Sequence, residues 1–484
     1  MMISSNELIQ TKRKSLAIVI SKIYLFCLTF KMIAPLGFLE SIIGSAALSF
    51  DIIPHFFGIL VLLIEKKGRI TFHDDEGKTL SYFIKMVVWF IISSIIMAFI
   101  IQKSYGNMGN ENAYQGIMGM SLYWLQYALI MFYNYHVFKV LTIIEMEKTF
   151  NALIFLLLII GYIQMVVMIF GGNIANVYDK IDFFDVLNDS NMLPKLSLTG
   201  SEGAYTGYIL GTFVLPYIYS KSLAGKTKRG VLLYILLWLP LIYMSFSSSA
   251  YILFAIVSIG YLFYFIKTRG LSKSLFMAIG PIVLICLIFV CFENEILNLL
   301  PEDISNNIKY ILLEKIKDND NGSTVLRSVP FYYNWGAFTE YPLLGVGNGL
   351  QGYFLEKYLP ATMRIVKGVD ATGLIRRWTS GISNGSLFWP SILSGYGIVG
   401  VILVFVYIFR SERIMKTKKE KLSTMYYMYR LSILGVIFSG FATDFVAKYY
   451  VWFAISIPLI PAVSNSCTYI NTEKEKSLHS KYLR

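Results

Sequence analysis

The chain carries little charge: Asp, Glu, Lys and Arg make up 15% of its 484 residues, whereas hydrophobic residues make up 56%. A soluble domain averages roughly 25% charged residues, so a water-exposed globule is excluded. The mean hydropathy of +0.58 belongs to an integral membrane protein. Cysteine is scarce. Cys27, Cys286 and Cys291 fall in apolar runs and Cys467 in the basic C-terminal tail. None lies in the long polar stretch 293–385, so no disulfide can hold that stretch together. The four histidines (His55, His73, His136, His479) avoid it as well, and no Cys/His group has metal-ligand spacing. Zinc chemistry and a bound cofactor are not expected. The chain also lacks an internal repeat, and its halves do not resemble each other, which counts against a transporter. No cleavable signal peptide is evident: the first apolar run is too long for one and is not followed by a small-residue cleavage site.

What the chain has in abundance is long apolar runs. A helix needs about 20 apolar residues to cross the hydrocarbon core. Windows of that kind cover 16–38, 41–64, 80–101, 117–136, 150–170, 203–220, 230–244, 250–266, 275–292, 386–409, 425–443 and 447–465. The pair 230–244 and 250–266 can also be drawn as one broken hairpin. The expected fold is an all-α polytopic membrane protein of about 12 transmembrane helices, with spans 1–9 inside residues 1–292 and spans 10–12 inside 386–465. Residues 293–385 form one large helical loop between them, and 466–484 form a tail.

Charge orients this arrangement. With Lys12, Arg13 and Lys14 in the cytoplasm, alternation puts 65–79, 137–149, 221–229, 267–274, 410–424 and the tail on the same side. Those segments carry 26 Lys or Arg, against three (Lys103, Lys180, Lys195) in the short loops opposite. Positive residues stay cytoplasmic, so both termini are expected inside and the 293–385 loop outside. The net charge of +13 is then topological, and nucleic acid is not an expected partner.

Within the loop, apolar spacing predicts helices over 304–317 and 329–340, and a third from Leu350 to Tyr358 after a glycine break. The glycines of 345–349 read as a tight turn rather than a phosphate cradle, because no nucleotide-binding unit surrounds them. Lys22, Lys85 and Arg430 sit near cytoplasmic span ends and are expected to snorkel. Asp51 and His55, four residues apart inside one window, are either functional or a structural pair.

Three stretches share an order and spacing. They are Ser323 to Ser328 with Arg327, then Trp335, then Pro342-Leu343-Leu344-Gly345-Val346-Gly347-Asn348-Gly349; Leu198 to Gly207 with Glu202; and Asn384 to Gly400. Together they resemble the bacterial O-antigen polymerase and O-antigen ligase superfamily, over roughly residues 190–410. In that family an Arg opens a helix, a Trp follows about two turns later, and a glycine-rich run closes it. Two departures weigh against the ligase branch. The turn Ser245 to Ala250 lacks an Arg, and Ser383 stands where ligases tend to have His.

The resemblance implies a glycan donor on a polyprenyl diphosphate, an acceptor sugar hydroxyl, a lipid bilayer, and a chain-length regulator and a flippase as companions. The leaving diphosphate develops charge that, without a metal, Arg and Lys must neutralise. Arg327 is the expected catalytic cation and Glu202 the expected base; Arg364, Arg376, Arg377 and Lys195 are expected on the phosphates. Trp335, together with Tyr332, Tyr333 and Trp378, is expected to stack on sugar rings. The expectation is a polymerase of lipid-linked repeat units in the bacterial inner membrane, building O-antigen or capsular polysaccharide. A glycan ligase is the rival within the class, and a lipid-linked oligosaccharide flippase the rival outside it.

Overall fold

The computed structural model describes residues 5–29, 52–65, 74–107, 112–170, 196, 198, 203–226, 230–245, 247–269, 322–359, 365–366, 369–370, 387–443, 445 and 448–462. The helices are α1 (Ser5–Cys27), α2 (Ile52–Glu65), α3 (Asp75–Tyr105), α4 (Ala113–Val140) and α5 (Ile143–Phe170). Next come α6 (Gly203–Ile209), a π-helical turn (Leu210–Val214), α7 (Leu215–Leu223), α8 (Gly230–Met244) and α9 (Ser248–Arg269). Helix α10 (Gly322–Glu340) belongs to the polar loop, followed by a 3-10 turn (Gln351–Phe354) and α11 (Leu355–Tyr358). Then α12 (Phe388–Thr417), α13 (Ser423–Ser439) and α14 (Tyr449–Ser456) complete the bundle. The described strands are β1 (Ile365–Val366) and β2 (Val369–Asp370), an antiparallel hairpin with Val366 opposite Val369.

Local signals start the helices where the polar residues stand. Asp74 caps α3 by accepting from the Gly77 amide at 2.9 Å, with Asp75 and Glu76 in the first turn complementing the dipole. Asn112 and Gln115 close a reciprocal capping box on α4, and Thr142 with Glu145 does the same at α5. Among the described residues four helices are long and apolar enough to cross a membrane: Asp75–Tyr105, Ile143–Val167, Ser248–Thr268 and Phe388–Thr417. Shorter apolar helices cover Ser15–Cys27, Ile52–Ile64, Leu233–Met244 and Tyr449–Leu459. Every apolar window except 275–292 overlaps a helix; that one lies outside the described residues. The 230–244 and 250–266 windows resolve as two helices joined by a serine turn.

Aromatic side chains fill the centre of the bundle. Phe90 stacks on Tyr396 at 3.9 Å and Tyr127 on Trp452 at 4.1 Å, with Trp124 edge-on to Phe90 and Trp452. Fully buried Asn134 accepts from Tyr24 and donates to Ser456, tying α1, α4 and α14 together. Such interhelical bonds in a membrane average about 0.6 kcal/mol each.

The helix ends form two distinct faces. At the one we term the basic end, buried Lys418 contacts the Glu76 carboxylate at 2.6 Å and the Pro458 and Ile460 carbonyls at 2.8 and 2.7 Å. Lys139 pairs with Asp74, Lys226 with Glu147, and Arg430 with Glu412, its guanidinium lying over the Tyr264 and Tyr426 rings. Lys22 reaches Glu145 at 4.0 Å. Two of the lysine and arginine residues expected to snorkel, Lys22 and Arg430, are thus held by carboxylates. The opposite face, the loop end, receives α10.

Candidate functional site

At the loop end the helices break instead of merely ending. Gly397, with φ +61°, interrupts α12. The glycine run lies against that break: Val346 donates to the Ser394 carbonyl at 2.8 Å and Gly347 to Gly395 at 3.0 Å, while Ile398 donates back to Pro342 at 2.8 Å. Each of Gly345, Gly347 and Gly349 has positive φ. A Cβ on Gly349 would overlap the Gly116 carbonyl of α4, so two backbones meet where a side chain cannot fit. The amides of residues 345–350 are all bonded, to Tyr341, Ser394, Gly395, Ser94, Gln351 and Gly347 in turn. None is left to hold a phosphate. The run is a locked turn.

A neutral network buried beneath it fixes the polar loop to the bundle. Ser394 donates to Asn334 of α10, and Gln351 donates to Asn348 at 2.9 Å and to Ser394 at 3.3 Å. The Asn348 amide donates to Ser94 of α3. Ser94 stands nineteen residues along α3, roughly 29 Å from its start and so about one hydrocarbon thickness from the basic end. Pro330 lies inside α10, and its carbonyl accepts from Asn334 at 2.6 Å.

A second set of breaks lies nearby. Helices α13 and α14 are 17 and 8 residues long, so each is shorter than a roughly 30 Å core requires. Between them the chain turns at Gly440–Thr443, whose carbonyls accept from the Phe388 and Trp389 amides that open α12. The π-helical turn 210–214 packs on both: Gly435 of α13 meets the Gly211 carbonyl closely, and Phe213 lies 5.7 Å from Phe453. Irregular backbone at membrane depth survives only where protein or a watery cavity covers it. π turns are frequent at functional sites.

Lys448 sits at this junction. It is 2% exposed, donates to the Thr443 hydroxyl at 2.9 Å, and lies 5.2 and 5.8 Å from the Tyr205 and Tyr208 ring centres. Tyr208 donates in turn to the Ala442 carbonyl. Aromatic faces and a hydroxyl stabilise a desolvated ammonium. The sequence reading passed over this lysine because it falls in an apolar window. The available signal was a cation inside a span, which is a functional marker in itself.

The expected site residues divide unevenly. Arg327 lies in the second turn of α10, not at its opening, because the helix begins at Gly322. Trp335 is on the outward face of the same helix, 60% exposed, beside exposed Phe331 and Tyr332. Tyr333 cannot stack on a sugar: helical spacing turns it to the opposite face, where it is fully buried. The 350–358 segment is a 3-10 turn and one α turn. Glu202, Lys195, Arg364, Arg376, Arg377 and Trp378, together with the 304–317 helix and Asp51, lie outside the described residues. Their neighbourhood on one side is pinned: Leu198, with φ +54°, exchanges both backbone bonds with Gln164, and Leu196 donates to Met244 and accepts from Thr206. His55 contacts the Tyr449 hydroxyl at 3.3 Å through Nε2. Among the described residues no group of three His, Cys, Asp or Glu could hold a metal ion.

The chain matches no known family model and no curated protein. The family resemblance therefore rests on its motifs alone.

Proposed function

We propose that the protein is a polytopic glycosyltransferase of the bacterial inner membrane that joins polyprenyl-diphosphate-linked repeat units into a surface polysaccharide. The proposal includes about 12 spans, both termini in the cytoplasm and the 293–385 loop outside. One observation carries it: α10, the loop helix that bears Arg327, turns exposed Phe331, Tyr332 and Trp335 outward while buried Asn334 ties it to Ser394 of α12. A lipid-linked glycan keeps its chain in hydrocarbon and its sugars in water, and an outward aromatic face on a helix tied to the bundle suits those sugars.

In the proposed step the acceptor hydroxyl attacks the anomeric carbon of the donor. Its proton passes to Glu202, and the bonding electron pair leaves with the lipid diphosphate. Arg327, with its planar fork, neutralises the charge that develops. The exposed Trp335 face offers a platform for sugar rings.

Deletion of the gene followed by electrophoresis of surface glycan tests the reading. Loss of the ladder with a single repeat unit remaining supports a polymerase. Loss of all attached glycan with polymer on its carrier would assign a ligase, and lipid-linked units stranded on the cytoplasmic side a flippase.

A further inference from the structure

The basic end holds a group of cations that the proposed chemistry does not use. Helices α3 and α12 run antiparallel there: the Tyr82 hydroxyl donates to the Leu403 carbonyl at 3.2 Å, and Phe83 meets Tyr407 ring to ring at 5.4 Å. On α3, Lys78, Tyr82 and Lys85 are spaced i, i+4, i+7 along one stripe. Arg410, with Arg413 at i+3, lies on the facing edge of α12, and Arg410 falls within electrostatic reach of the Tyr82 hydroxyl. The Nε of Arg410 is buried and has no hydrogen-bond partner among the described residues. Lys85 and Arg413 are exposed, and Lys78 has a loose contact with Asp75 at 3.8 Å. One turn from Arg410 toward the bundle centre, Val406 is exposed, and beside it Phe409 is 68% exposed.

Depth decides what this group can meet. The 31 residues of α3 extend roughly 46 Å, about 16 Å more than the hydrocarbon core, so each end overhangs it by about 8 Å when centred. Tyr82 is seven residues in, about 10 Å, which puts it at the boundary between headgroups and acyl chains. A part-buried guanidinium whose Nε has no acceptor among the described residues, two flanking lysines and an exposed apolar strip match an acidic headgroup with its chains attached.

We propose that the face formed by Lys78–Lys85 of α3 and Val406–Arg413 of α12 is a binding site for an anionic phospholipid. The phosphate accepts from Arg410, Lys78 and Lys85 neutralise it, and the acyl chains lie along Val406 and Phe409. This site is independent of the glycan reading and stands or falls separately.

Purified full-length protein in neutral detergent provides the test, by thermal melting and native mass spectrometry with phosphatidylglycerol or phosphatidylcholine added. Phosphatidylglycerol should raise Tm and remain bound, and phosphatidylcholine should do neither. Arg410→Met should weaken retention, and exposed Lys85→Gln, which does not threaten folding, should weaken it roughly fivefold. Equal effects of the two lipids would overturn the proposal, as would unchanged retention in Lys85→Gln. Equal stabilisation by inorganic phosphate alone would mark a free-anion site and overturn it too.

Discussion

At the basic end of the bundle the helices stop and are tied by charge: Lys418 to Glu76, Lys139 to Asp74, Lys226 to Glu147, Arg430 to Glu412. At the loop end they break within apolar surroundings and are tied by neutral groups: Ser394, Asn334, Gln351, Asn348 and Ser94. The ion pair Lys357–Glu340 lies at the rim of that end. The difference has a physical basis. Ion pairs hold a fixed arrangement between helix ends. A neutral network satisfies broken backbone without introducing charge. One end is held chiefly by ion pairs and the other by neutral hydrogen bonds.

The sharpest way to break this contrast is at the loop end. Arg327→Ala should reduce polymer roughly a hundred- to thousandfold, as for loss of one preorganised donor, with protein level and insertion unchanged. Arg327→Lys should rescue poorly, because an ammonium lacks the bidentate fork. Near-normal glycan ladders from Arg327→Ala would remove that residue from the site. Equal loss of protein and polymer would make it structural.

The ion-paired end is tested by stability instead. Glu76→Ala leaves Lys418 buried without its carboxylate and should cost about 3–5 kcal/mol, read as a collapse of the melting transition in detergent, with no specific change in glycan length. A Tm within a degree or two of the parent would show that the two carbonyl bonds suffice.

Next in size comes the glycine turn. Gly349→Ala combines positive φ with overlap on the Gly116 carbonyl and should cost about 1–3 kcal/mol in strain or more. Its melting curve should fall below that of Gly119→Ala, where a Cβ meets nothing within 4 Å. Ser394→Ala should cost less, about 0.6–1.7 kcal/mol, since Asn334 and Gln351 keep other partners. A larger loss than in Glu76→Ala would invert the comparison of the two ends.

The smallest effect concerns the rim. Partial burial pushes the Glu340 carboxyl up, but hydrogen bonds from Lys357, Tyr358 and Tyr105 outweigh it and hold the pKa below the ordinary value. A depressed carboxylate contributes stability above its unfolded pKa of about 4.3 and loses it as pH falls through the lower folded value. The Tm gap between parent and Glu340→Gln should be flat above about pH 5 and close in acid. A gap that widened on acidification would disprove the assignment.

Composition and apolar run length by themselves determined that this chain is an α-helical membrane protein, because the cost of unpaired backbone in hydrocarbon leaves a 20-residue apolar run little choice but helix. Turn chemistry was legible as well: Gly345, Gly347 and Gly349 could be read as a turn, since positive φ is a property of single residues. Sequence could not show what that turn locks onto. Its partner, the break at Gly397, is some fifty residues away and takes its form from backbone bonds to Pro342 and Leu343. Nor could it separate Tyr333 from Tyr332 until α10 acquired a buried side. Lys448 is the clearest case. In sequence it is one cation beside an apolar run, and only the packing of α6 against the α13–α14 linker places Tyr205, Tyr208 and Thr443 around it. Local periodicity encodes helices, whereas a charged site depends on where separate helices stop, and tertiary packing sets that.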